Sequence, residues 1–264
     1  GKTVQDLERW RKAHLTEFRV RGLAHGNLTS AAVEQVSELL AEKLPLGEFA
    51  IHKPSVVDVT TSRSLELPVD HQDAAFALYL QDPDSSLTSR ARSALAVQLI
   101  RQSYFSDLRT EQQLGYVVAL SNRSLYDRAG LTFIVQSPVA GPAKLKSVTK
   151  TFLDKQINVV QQMDAAQFEQ HKDGLIARLT EQDKNLGQRS QRYWSDLERG
   201  VLSFDSAQQI SAHVAALDKP QMVAFLKDAA SRLESQSILV FSRGKFDDVP
   251  DHGERIAGVA FKQN

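Results

Sequence analysis

The residues best suited to chemistry lie in one stretch, Phe105 to Val118, which reads FSDLRTEQQLGYVV. Arg109 brings a planar fork of hydrogen-bond donors, and Tyr116 a phenolic hydroxyl that can donate or accept. Gly115 reads as a tight turn just before the tyrosine, because glycine tolerates backbone angles closed to other residues. Upstream, Leu87, Ala91, Ala94, Leu95, Leu99, Tyr104 and Leu108 recur at helical spacing, while Tyr116 to Leu120 reads as a buried strand. A donor pair therefore sits on a helix-to-strand corner with a rigid element on either side. By residue type alone two readings stand. Arg109 and Tyr116 act as a functional donor pair, or Arg109 makes a surface ion pair and Tyr116 packs in the core.

The remaining chemistry-bearing residues are dispersed. The seven histidines, His14, His25, His52, His71, His171, His213 and His252, are scattered, and cysteine is absent. A zinc site needs closely spaced histidines or acidic partners brought onto one face, so here it would have to be assembled from distant residues. The chain is expected to bind no metal by itself and to lack any activity that depends on one. His25, Gly26 and Asn27 read as turn chemistry, with Gly26 supplying the angle and Asn27 or Thr29 capping the helix that follows. Tyr193 and Trp194 read as packing aromatics, and Glu181, Asp183, Lys184, Arg189 and Arg192 as a solvated charged face.

These candidates must be positioned by elements legible from periodicity. Helices are expected at residues 4 to 14 and 29 to 44, with a strand at 15 to 23 between them. A linker with Pro45, Gly47 and Pro54 covers 45 to 61 and sets a boundary. Beyond it come strands at 64 to 69 and 74 to 80, a capped helix ending near Arg109, and strands at 116 to 121 and 131 to 136. Helices follow at 143 to 163, 165 to 183, 186 to 198, 206 to 215 and 219 to 233, and a last strand at 237 to 241. That order predicts an α+β fold, a mostly antiparallel sheet with helices on one face. Residues 1–55 are expected to be the tail of a preceding domain of the same type plus linker, and 56–264 the C-terminal domain. The order of the tail from 244 to 264 is left open by the sequence.

Composition narrows the partners. The 264 residues are 42% hydrophobic and 24% charged, an ordinary globular balance. Lysine plus arginine equal aspartate plus glutamate at 32 each, so no charge excess argues for nucleic acid or an anionic membrane. No apolar run approaches the roughly 20 residues a spanning helix needs. No leader pattern opens the chain, so an export signal, if there is one, would precede Gly1.

The core Leu108, Arg109, Thr110, Gln113, Leu114, Gly115 and Tyr116 resembles the signature segment in the C-terminal half of the pitrilysin/insulinase family of zinc metallopeptidases. The likeness extends to Gly22 to Asn27, Phe133 to Ser137 and Gln191 to Trp194. It implies an αβ-roll domain without zinc ligands, whose zinc is held in the full-length enzyme by an H-x-x-E-H helix of an N-terminal catalytic half. The matching arginine and tyrosine, Arg109 and Tyr116, would then contact bound peptide substrate beside the metal, acting with that half. The charged run from Glu181 would be open to a second reading, as part of a chamber wall. Self-association of the isolated chain through residues 1 to 44 is expected, because their native neighbour is missing. The resemblance implies a soluble protein, periplasmic if of the exported bacterial kind and cytoplasmic otherwise. A scaffold or interaction module on the same fold, without peptidase activity, is the alternative.

Overall fold

In the computed structural model, residues 2–47 and 56–257 are described. Their helices are α1 (Val4–His14), α2 (Ser30–Lys43), α3 (Leu87–Phe105), α4 (Pro142–Gln162), α5 (Ala165–Leu179), α6 (Leu186–Arg199), α7 (Ser206–Ala216) and α8 (Lys219–Ser235). The strands are β1 (Arg63–Glu66), β2 (Ala74–Gln81), β3 (Val117–Asn122), β4 (Gly130–Ser137), β5 (Ile238–Ser242) and β6 (Glu254–Arg255). They fall into two compact units, residues 1–55 with 182–204, and 56–181 with 205–264. The linker residues 48 to 55, including His52 and Pro54, and the tail residues 258 to 264 lie outside the described residues.

In the first unit α1 begins at a capping box. Thr3 accepts from the Asp6 amide at 3.2 Å, and Asp6 accepts from the Thr3 amide at 2.9 Å. Thr29, not Asn27, caps α2. Neither helix buries a residue. The strand expected at 15 to 23 is reduced to a single bridge between Phe18 and Leu46, because one extended segment without a neighbouring strand has nothing to pair with. α6, capped by Asn185 and stopped at Gly200 with φ +79, groups with this unit and not with 56–181. Arg21 donates to the Leu197 carbonyl at 2.7 Å, and the His25 ring meets Ser190 at 2.8 Å and the edge of Tyr193. Tyr193 also packs on Phe204, whereas Trp194 is exposed and bonds Glu198, so only the first of the two aromatics is a packing residue. The charged run there is knit together, Asp183 accepting from both Arg189 and Arg192.

The second unit is built on a six-stranded sheet in the order β3-β4-β2-β5-β1-β6. β3–β4, β4–β2 and β2–β5 are antiparallel, and β1 pairs in parallel with both β5 and β6. The period of two in β2 separates buried Ala74, Phe76, Leu78 and Leu80 from a more open face, and β3 alternates likewise with Val118 and Leu120 inward. Helices α3, α4 and α8 cover that buried face, as the α+β expectation requires. At its centre Tyr104 is fully enclosed, edge-on to Phe133 and Phe152, and its hydroxyl meets Thr149 at 3.0 Å. Burial holds the Tyr104 phenol far above its ordinary pKa, so it stays neutral.

Residues 244 to 257, the described part of the tail, are tied down by contacts that composition could not reveal. Asp248 accepts from the amides of Ala143 and Lys144 at 3.0 and 3.3 Å, a carboxylate cap on α4 supplied from 105 residues away. His252 is buried against Ser237, and β6 follows.

Candidate functional site

α3 carries the site to its place. Ser86 caps it, accepting from Ser89 at 3.2 Å, and Leu95, Leu99 and Ile100 bury its inner face. The helix then widens into a π turn, Ser106–Glu111, where the Gln112 amide reaches back five residues to the Asp107 carbonyl at 2.9 Å. Buried Leu108 and Leu114 pin both ends of the turn, linked by the Leu114 amide to the Leu108 carbonyl at 2.9 Å. Asp107 accepts from the Gln112 side chain at 2.7 Å and lies 3.5 Å from the Lys155 ammonium.

The turn into β3 corrects the role expected of Gly115. The positive backbone angle belongs to Gln113, φ 50, not to the glycine. A methyl group on Gly115 would stand 1.9 Å from the Gln136 carbonyl oxygen, so the glycine is required for the close approach of β4. Ser137 secures the same junction. Its hydroxyl donates to the Leu114 carbonyl and accepts from the Val139 and Ala140 amides.

The corner brings Arg109 and Tyr116 together. The Arg109 guanidinium carbon lies 4.8 Å from the Phe105 ring centroid and 4.5 Å from that of Tyr116, a cation in contact with two aromatic faces. Tyr116 is 79% exposed, which excludes the core reading of its ring. Among the described residues no group accepts a hydrogen bond from Arg109 and no acid pairs with it, so the ion-pair reading finds no partner. Phe105 is the member that sequence reading passed over. Its place four residues before Arg109 on one helical face was the available signal.

The other candidates are not gathered here. His14 stacks on Trp10, His213 meets Thr88 at 3.0 Å, and His25 and His252 sit in the separate settings described above. Among the described residues no group of three His, Cys, Asp or Glu could hold a metal ion, so the side chains present do not fit zinc. No described helix is long and apolar enough to cross a membrane. A cleft of about 430 Å³ with Asp82, Arg92 and Phe225 on its walls lies by the far end of β2 and includes neither Arg109 nor Tyr116.

Known proteins resemble this chain in sequence and in fold. Residues 95–194, which contain the whole corner, match the family model of PQQ synthase PqqF-like, C-terminal lobe domain 4. The chain is 26% identical over 240 residues to Protease 3 of Escherichia coli K12, covering 90% of this chain and 25% of that protein. It is 27% identical over 256 residues to human insulin-degrading enzyme, covering 91% and 25%. The crystal structure of pitrilysin superposes on all of it with a TM-score of 0.82 at 23% identity, using 29% of that chain. The chain spans about a quarter of the length of the curated relatives it matches.

Proposed function

We propose, on the premise that this chain is a C-terminal portion of a pitrilysin/insulinase-family metallopeptidase, that it orients peptide substrates for hydrolysis by a catalytic half outside the chain. The observation that carries this reading is the Arg109 guanidinium lying over the rings of both Phe105 and Tyr116. Contact with two rings steadies the guanidinium, and among the described residues none of its N–H groups has an acceptor, an arrangement suited to backbone carbonyls of an extended peptide. Tyr116, exposed and placed by the Gly115 junction, is the proposed donor to the carbonyl oxygen of the bond being broken. Negative charge develops there in the tetrahedral transition state, so a donor held at that point stabilises the transition state more than the bound substrate. On this reading metal, attacking water and general base belong to the catalytic half, since among the described residues no group of side chains fits zinc. Enclosing the substrate between the two halves belongs to the same reading, as does inactivity of the chain alone. The second reading, a scaffold on the same fold, gives no reason to leave these donors unspent.

Steady-state kinetics of the longer enzyme test the assignment. Tyr116→Phe removes only the hydroxyl and is expected to lower kcat by about a hundredfold, the typical cost of a lost transition-state donor. Arg109→Ala is expected to raise KM and lower kcat together. Near wild-type values for both would leave the scaffold reading in front.

A further inference from the structure

The sheet of the second unit ends differently at its two edges. β6 is two residues long and both are charged. Glu254 pairs with Arg63 at 3.6 Å, and Arg255 with Glu66. Short, charged edges discourage the addition of another strand. β3, at the opposite edge, is six residues, VVALSN, without charge or proline, and it pairs with β4 without a bulge from Val117↔Gln136 to Asn122↔Leu131. Among the described residues, β3 carries no charge, proline or bulge and pairs with no strand on its outer side.

The register shows which backbone groups that edge offers. The Arg123 amide donates to the Gly130 carbonyl at 2.8 Å, so 123 and 130 form a hydrogen-bonded pair. Alternation along an antiparallel ladder then turns Val117, Ala119 and Ser121 toward β4 and leaves the N–H and C=O of Val118 and Leu120 facing away, with Tyr116 and Asn122 in the same phase. Among the described residues, 116 to 122 make no backbone hydrogen bond outside the β3–β4 ladder. Val118 and Leu120 bury their side chains in the core, so the outward amides are held rigidly. From Tyr116 to Asn122 the edge runs roughly 20 Å at about 3.4 Å per residue, room for a peptide of six or seven residues.

We infer that the free edge of β3 is a docking edge on which an extended peptide segment adds as a further strand, its chain running past Tyr116. The choice of occupant rests on the reading of Arg109 and Tyr116 given above. The open edge is continuous with Tyr116, whose own amide falls in the outward phase, so a peptide bonded there is delivered to the two donors. Recognition of this kind is carried by main-chain hydrogen bonds and tolerates many side chains.

Amide hydrogen exchange of the isotopically labelled 264-residue chain tests it, with a blocked decapeptide of alternating threonine and valine flanked by lysines as probe. In the free chain the Val118 and Leu120 amides exchange fast, and those of Val117, Ala119 and Ser121 slowly. Millimolar peptide is expected to slow Val118 and Leu120 at least tenfold with little change at the other three. The same peptide methylated on every backbone nitrogen keeps its side chains, loses its donors and is expected to protect nothing. Three results overturn the inference. They are no protection at all, equal protection by the methylated peptide, or protection that appears without peptide and grows with chain concentration, which assigns the edge to a second copy. The outcome is separable from the kinetic assignment. Loss of kcat in Tyr116→Phe without edge protection sinks only the edge, and protection with wild-type kinetics sinks only the donors.

Discussion

Arg109 depends on its neighbours for orientation more than for charge. A cation over an aromatic face is worth about 0.5 to 1 kcal/mol at an exposed site, and here Phe105 supplies one of the two faces. Phe105→Leu keeps an apolar side chain against the core and removes that face. On the proposed function, this variant is expected to raise KM of a longer enzyme that contains the chain about two- to fivefold with kcat little changed, because it would weaken positioning in the bound state and transition state alike. A kcat loss as large as that of Tyr116→Phe, with KM unmoved, would place Phe105 in a different role. Gln113 is the residue whose conformation was least foreseeable. It holds φ 50 although nothing in its side chain requires it, because Leu114 must return to the core within a few residues of Leu108.

At the scale of elements, two junctions carry testable consequences. The first is the crossing of the Gly115 backbone over β4, where Gly115→Ala forces a methyl group to 1.9 Å from the Gln136 carbonyl oxygen. Backbone cannot yield there as a flexible side chain would, so a destabilisation of about 1 to 3 kcal/mol is expected, read as a fall in Tm by calorimetry. An unchanged Tm would show that β3 can slide. The second junction is the tail against β1 and β5, held by His252. Burial pushes its pKa below the ordinary value, Lys146 adds to this by repulsion, and the Ser237 backbone, Glu234 and Asp251 oppose it. The folded state therefore takes up its proton at lower pH than the unfolded chain. The stability due to neutral His252 is complete above about pH 6.5, the unfolded value, and is lost as pH falls toward the depressed folded one. Tm measured at pH 7.5 and 5.5 is expected to fall more steeply in the native chain than in His252→Gln. Parallel slopes would remove His252 from the account.

The chain spans about a quarter of the length of the curated relatives it matches, and its first unit exposes several large apolar side chains. Leu7 and Trp10 on α1 and Val36 and Leu39 on α2 are each more than half exposed, and apolar surface of that kind seeks cover. The isolated chain is expected to self-associate through this region, its scattering mass rising with concentration and falling back to the monomer value in a variant lacking residues 1–55. A strict monomer at high concentration would contradict this. The amphipathic helices, the alternating strands and the α+β order were legible in the sequence, because one-sided burial imprints a period of 3.6 or 2 on side-chain type. The placing of the LRTEQQLGY core on a helix-to-strand corner was legible for the same local reason, since a helical period ends and a strand period begins within it. Tertiary structure decided the rest, since each remaining feature joins residues far apart in the chain. The parallel pairing of β1, the sharing of α6 with residues 1–55, the capping of α4 by Asp248, the exposure of Tyr116 and the freedom of the β3 edge all depend on which segments meet. No periodicity records that, because a hydrogen bond or close approach between distant segments leaves no mark on the neighbours of either residue.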